Sequence, residues 1–286
     1  MPEVFLTPEG IIKYKIKKLK GRLRALFGGT NQPAIELNRT QEMFCTWNAE
    51  RLGISVSESR DRYTRSLSVL HFGHRGKDYR YFADIAHEVF IPFYDDNERE
   101  IFDTYAFHGP LHMLRFLAFP DPVWADDHPI ITGLADKQEL TILDFGCGLA
   151  KGSCALARRF KAAGKDVHLV LSDIPTVRKP FLLWMMEQDG VKTTFLDCTP
   201  ERPIPEFLPH DLCIAVDVLE HLHNPHAYLV AIDSALKAGG HLLTDIEDHT
   251  DEFMHPTPNL TPLRDELERL NYKVITKDKL FVKSSG

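Results

Sequence analysis

The chain has 286 residues, 43% of them hydrophobic, and a formal net charge of −7. That is enough apolar material for one sizeable core, and too acidic a body for a nucleic-acid footprint. Five cysteines without paired spacing point to reduced thiols rather than a disulfide scaffold, and no run approaches the roughly 20 apolar residues of a membrane span.

Residues 1–30 read as one basic amphipathic helix. Ile12, Ile16, Leu19, Leu23, Leu26 and Phe27 make an apolar stripe, and Gly28-Gly29 stops it. Lys13, Lys15, Lys17, Lys18, Lys20, Arg22 and Arg24 surround the stripe with no acidic residue among them. Such a helix either packs on its own domain with a solvated basic face or touches an anionic membrane through residues 11–27. No apolar run follows the basic residues, so the segment does not read as a secretory signal, and a cytoplasmic location is expected.

Residues 31–125 read as a helical cap over a substrate region. Phe44 and Trp47 share one helical pattern, and Ser57 before Arg60-Asp61-Arg62 suggests a second start. Tyr79 to Phe90, Asn97 to Phe107 and Leu111 to Phe119 continue the helical pattern with many aromatics, punctuated by Pro92, Pro110 and Pro120. A cap of this kind can close over an acceptor and exclude water, or its aromatics simply pack its own core. His108 and His112 lie in this stretch without a pattern that gives them a role.

Residues 126–286 alternate strands and helices, which predicts an α/β, Rossmann-like, seven-stranded and mostly parallel sheet. The strands are read at 140–144, 167–172, 192–196, 211–216, 240–246, 272–276 and 279–283. Asn224-Pro225 opens a helix carrying Leu229, Ile232 and Leu236 inward, with Gly239-Gly240 at its end. The first strand runs into Asp144-Phe145-Gly146-Cys147-Gly148-Leu149-Ala150-Lys151-Gly152-Ser153. The two glycines allow a tight turn and close approach of a ligand, and Ser153 is read as the cap of the helix that follows. A dinucleotide turn would have a third glycine where Lys151 stands, and a phosphate loop of the G-x-x-x-x-G-K-[ST] type is absent. Asp144 would repel phosphate.

This stretch resembles the first motif of the class I S-adenosylmethionine-dependent methyltransferases, an acidic residue followed by G-x-G, with Ala150 where the family has its third glycine. Further matches follow in order. Leu169-Val170-Leu171-Ser172-Asp173 ends the second strand in an acid, and Thr194-Phe195-Leu196-Asp197 ends the third in another. Asp217-Val218-Leu219-Glu220-His221-Leu222 resembles the D-V-L-E-H-L continuation of the small-molecule branch, and Leu236 to Gly240 stands where the family has L-K-P-G-G. The resemblance covers about half the chain. It implies S-adenosyl-L-methionine as cofactor, with Asp144, Gly146 and Gly148 at the turn, Asp173 on the ribose hydroxyls, Asp197 at the adenine amino group and Asp217 toward the methionine end.

Methyl transfer from a sulfonium needs an acceptor held in line in a dry pocket, and a base only where the acceptor must lose a proton. His221 and His249 are the candidate bases. They belong to two polar clusters, one with His223 and His226, the other with Asp245, Glu247, Asp248, Asp251 and His255. No metal is assigned, although Asp245, His249 and His255 could hold a divalent ion as the weaker alternative. The expected function is methylation of a small-molecule acceptor, with oxygen favoured. The alternatives are C- or N-methylation of a quinone-like or lipid acceptor, and a non-catalytic cofactor-binding regulatory or scaffold protein of the same fold. No nucleic-acid partner is expected.

Overall fold

The computed structural model describes residues 36–72, 113–114, 116–248, 257 and 259–284. The basic helix of residues 1–30, the aromatic stripes of residues 79–107, His108, His112, His249, Asp251 and His255 lie outside them.

A seven-stranded sheet organises the chain. Its strands are β1 (Glu139–Phe145), β2 (Asp166–Asp173), β3 (Lys192–Asp197), β4 (His210–Ala215), β5 (Leu236–Thr244), β6 (Tyr272–Thr276) and β7 (Leu280–Lys283). Their order across the sheet is β3-β2-β1-β4-β5-β7-β6, with only β7 running antiparallel to its neighbours. Helices on both faces explain the continuous apolar runs of the inner strands, which are buried on both sides. Side chains alternate between faces at period two. Ile142, Leu169, Leu171, Leu212 and Ile214 belong to one core, and Leu143, Val170, Cys213 and Ala215 to the other.

The first core is packed by α4 (Lys151–Ala162) and α5 (Arg178–Gln188), and also by α1 (Arg39–Leu52) and α2 (Val56–Phe72). A short α3 (Pro129–Gly133) precedes the sheet. α1 is well signed. Asn38 and Gln41 form a reciprocal capping box, and Gly53 ends the helix at φ +65°. Its Phe44 and Trp47 meet Phe181 of α5 at ring-centroid distances of 5.7 and 5.4 Å, and Phe44 meets Tyr63 of α2 at 5.5 Å. α1 and α2 therefore share a core with the sheet domain. The second core is covered by α6 (Pro225–Ala235) and α7 (Thr261–Arg269), through Leu229, Ile232, Leu263 and Leu267.

Two local expectations are corrected. α6 stops at Ala235, and Leu236 is already extended and paired with His210 of β4. The glycine pair sits inside β5, where the register slips between His210 and Leu212. A Cβ at Gly240 would stand 2.7 Å from the Lys237 carbonyl, so the irregularity needs glycine rather than a helix end. The second correction concerns Ser153. α4 begins two residues earlier, after Ala150 at φ +50°, and Ser153 lies within its first turn.

All five cysteines are buried and unbridged. Among the described residues, no helix is long and apolar enough to cross a membrane.

His210, at the start of β4, is fully buried, and its Nε2 has no partner. Burial pushes its pKa down to about 4, against a hydrogen bond to the Leu208 carbonyl that raises it. The unfolded chain therefore takes up a proton near the ordinary 6.5 while the folded chain does not, so stability falls as pH drops from about 6.5 toward 4. A shift of this size makes unfolding about 2 kcal/mol easier at pH 5 than at pH 7 through this one group. Urea melts at both pH values, compared with His210→Phe, should show that increment in the native chain and its loss in the variant.

Candidate functional site

The parallel strands β1, β2, β3 and β4 end on the same edge of the sheet, and each hands over to a polar residue there. Asp144 and Phe145 close β1, Asp173 closes β2, Asp197 closes β3, and Asp217 follows β4 by two residues. Register places Phe145 beside Ser172 and Asp173 beside Asp197. The crevice beyond these strand ends is where open α/β sheets bind ligands.

The glycine turn is built tightly against this edge. Gly146 has φ +65° and Gly148 φ +53°. A Cβ on Gly146 would lie 2.3 Å from Val218, the residue that follows Asp217, so glycine is required by close packing as well as by φ. The N–H groups of Gly146 and Cys147 both reach the Ser172 carbonyl, at 2.8 and 3.2 Å. The N–H of Gly148 donates to Asp173 Oδ2 at 2.6 Å.

Asp144 lies beneath the turn. It is buried and accepts a hydrogen bond from the Ser153 hydroxyl. Burial raises its pKa to about 7; the Ser153 hydrogen bond acts against that, and the Asp173 charge adds to it. Ser153 thus serves the acid under the loop, which explains why it is not the helix cap. Asp173 accepts from Gly148 with one oxygen and from the Ile174 N–H, at 2.7 Å, with the other. Arg178 Nη2 stands 3.3 Å from that second oxygen, and Arg178 Nε donates to Thr176 Oγ1 at 3.0 Å. Asp197 is paired by Lys179, whose Nζ is 2.8 Å from both carboxylate oxygens and lies over the Phe195 ring. Arg178 and Lys179 were not singled out from sequence. The basic pair directly after the β2 loop was the available signal.

The β4 exit carries a second group. Asp217 has φ +58°, a left-handed conformation that non-glycine residues rarely adopt, and its side chain is 56% exposed. Its Oδ1 is 3.6 Å from His221 Nε2. The neighbouring His221 imidazole is the largest influence on the Asp217 carboxyl and lowers its pKa to about 2, against burial. Glu220, between them in sequence, is buried at 1% exposure. One ligand atom from each of Asp217, Glu220 and His221 lies within 4.8 Å of the others. Two carboxylates and an imidazole at that spacing can hold a hydrogen-bonded base or a divalent ion. Glu220 was read from sequence only as part of a motif.

The other candidates are elsewhere employed. Asp245 stands 3.7 Å from Lys279, and Asp248 accepts from the Leu260 N–H and from Arg264, fixing the start of α7. His226 faces Glu266 at 3.6 Å. His249 and His255 fall outside the described residues, so the second candidate base and the alternative metal set are untouched by this geometry.

The edge suits a ligand with hydroxyl and amino donors. The acids at consecutive strand ends offer acceptors, the turn offers a close backbone, and the buried Asp144 lies under it.

A family model described as a methyltransferase domain matches residues 122–277. No curated protein matches the chain in sequence. Among solved structures, the chain is similar to a protein from Listeria monocytogenes assigned as a class I S-adenosylmethionine-dependent methyltransferase, at 13% identity and a TM-score of 0.42, covering 86% of this chain and 88% of that one. It is also similar to an S-adenosylmethionine-dependent methyltransferase from Aquifex aeolicus, at 19% identity and a TM-score of 0.38, covering 55% and 87%. A third structure is the 4+2 cyclase SpnF, at 15% identity and a TM-score of 0.39, where the match covers 64% of this chain and 63% of the cyclase.

Proposed function

The chain belongs to the methyltransferase-domain family, with S-adenosylmethionine as its cofactor, and from that premise we propose that it methylates an oxygen of a small-molecule acceptor, with His221 as the base. The cofactor supplies a methyl group activated by its sulfonium. The protein's residues then have three tasks: to bind the donor, to orient the acceptor, and to take the acceptor's proton.

Donor binding is assigned to the turn and the strand-end acids. Asp173 accepts from a ribose hydroxyl at Oδ2, the oxygen that otherwise takes only the Gly148 N–H, since Oδ1 already faces the Ile174 N–H and Arg178. Asp197 accepts from the adenine amino group. Gly146 and Gly148 bring the backbone close, Asp144 braces the turn from below, and Asp217 lies toward the methionine end.

The observation that carries the oxygen assignment is the Asp217–His221 pair beside Gly146 and Val218. An imidazole held by an ionised carboxylate is oriented and made more basic, which suits removal of a hydroxyl proton. Methylation of a carbon or of a neutral amine makes less use of such a base. The same three donors, Asp217, Glu220 and His221, support a second reading in which a divalent ion polarises the acceptor oxygen.

The test is formation of S-adenosylhomocysteine with a panel of phenols, carboxylic acids, amines and quinols, each with and without a chelator. Turnover confined to hydroxyl acceptors and indifferent to chelation is expected. Turnover abolished by chelation and restored by a divalent ion selects the second reading, and turnover only with carbon or nitrogen acceptors overturns both. Donor binding without turnover on any acceptor class would favour the scaffold alternative.

A further inference from the structure

Lys151 stands where a dinucleotide turn would have its third glycine, and the donor-site assignments above leave it without a role. It is the first residue of α4. A cation there opposes the helix dipole, which favours negative charge at an N-terminus. The side chain is nonetheless only 12% exposed. Its ammonium donates to the Phe119 carbonyl at 2.5 Å and pairs with Asp121 at 3.0 Å.

Those two acceptors also hold the other end of the cap. The Phe119 carbonyl accepts from Asn38 Nδ2 at 3.2 Å, and Asp121 Oδ2 accepts from the Thr40 N–H at 3.2 Å. Asn38 caps α1 and Thr40 is in its first turn. Gln41 adds a bond to the Leu117 carbonyl at 2.9 Å. The start of α1 and the start of α4 therefore meet on one short segment, residues 117–121, with the Lys151 ammonium between them. Downstream the same segment stays on α4: Trp124 Nε1 donates to the Gly152 carbonyl at 2.9 Å, and Arg159 donates to the Trp124 carbonyl at 2.8 Å.

The consequence falls on the glycine turn. Residues 146–150 are held at their start by the Ser172 carbonyl and in the middle by Asp173. Their exit is the residue before Lys151, Ala150, at φ +50°. A non-glycine residue in that region persists when its surroundings fix it. We propose that Lys151 is a positioning residue for the donor: its clamp on Phe119 and Asp121 fixes the exit of the glycine turn and ties the donor loop to the helical cap.

This inference rests on the donor reading of the turn, so the native chain's affinity for S-adenosylmethionine is measured first by calorimetry; no binding there would end that reading before Lys151 is tested. Given binding, Lys151→Met should weaken donor affinity about tenfold and Asp121→Asn by less, because the Phe119 carbonyl still holds the ammonium; the double variant should be no weaker than Lys151→Met, since Asp121 acts through Lys151. Lys151→Arg, which keeps the cation, should stay within about threefold of the native chain. At saturating donor, kcat should stay within about twofold. Thermal melts run alongside separate this from a merely structural tie. A lowered melting temperature with unchanged donor affinity in both variants would overturn the proposal. A double variant markedly weaker in donor affinity than Lys151→Met would also overturn it, since Asp121 would then act on the donor site by a route other than Lys151.

Discussion

Replacing Asp173 by alanine is expected to weaken S-adenosylmethionine binding by about a hundredfold or more while the sheet stays folded. The size follows from what the carboxylate holds. It accepts from the Gly148 N–H at 2.6 Å and the Ile174 N–H at 2.7 Å. Hydrogen bonds to a charged group contribute about 1.5–3 kcal/mol each, and about 1.4 kcal/mol is tenfold in affinity. The alanine variant also leaves Arg178 facing the turn without its carboxylate, in a poorly exposed position. Losing the preformed turn and the ribose acceptors together therefore reaches a hundredfold without further assumptions. Asp173→Asn is the milder case. It keeps one oxygen that can accept from Gly148, and it removes the charge opposite Arg178, so a loss of about tenfold is expected. Calorimetry gives the affinities, and far-UV circular dichroism checks the fold. A change under about threefold in the alanine variant, with native dichroism, would remove Asp173 from the donor site.

The strand ends were legible because buried parallel strands read as continuous apolar runs that stop abruptly at a charge. Leu169-Val170-Leu171 is one such run, followed by Ser172 and the acid Asp173 at which β2 ends. The partners of those acids were not legible. Nothing in local periodicity pairs Arg178 with Asp173 or Lys179 with Asp197, because each pairing depends on how the loop after β2 folds back over the sheet edge. Ser153 was misread for a related reason. A serine five residues after the second glycine of the turn reads as a cap, but the turn closes on Ala150 and leaves the hydroxyl facing the buried Asp144. Gly239-Gly240 shows the limit of punctuation rules. The pair reads as a helix stop, whereas strand pairing to His210 captures Leu236 first and leaves the glycines to absorb an irregularity inside β5. α1 and α2 read as helices from Phe44, Trp47 and the Ser57 region, but the packing of α1 on Phe181 has no trace in its own pattern.

The second large effect is expected at His221. If this imidazole takes the acceptor proton, His221→Ala should lower kcat by about 10²–10⁴-fold, the range of general-base contributions, with donor affinity within about threefold of native. The discriminating measurement is the pH profile of kcat/KM in the native chain and in Asp217→Asn. In the native chain the rate falls on the acid side as His221 takes up a proton. Asp217 is ionised throughout that range, because the neighbouring His221 imidazole holds its pKa down to about 2. An ionised carboxylate 3.6 Å away favours the imidazolium. Neutralising it removes that support, so the imidazole loses its proton at lower pH, and the acid limb of Asp217→Asn should move to lower pH while the plateau rate falls. A role confined to holding the β4 exit together would lower the rate without moving the limb. An ion held by Asp217, Glu220 and His221 would instead make both variants recover with added metal, since a weakened site is refilled by mass action. A limb that moves, with no response to metal, is the outcome that ties the proton to His221.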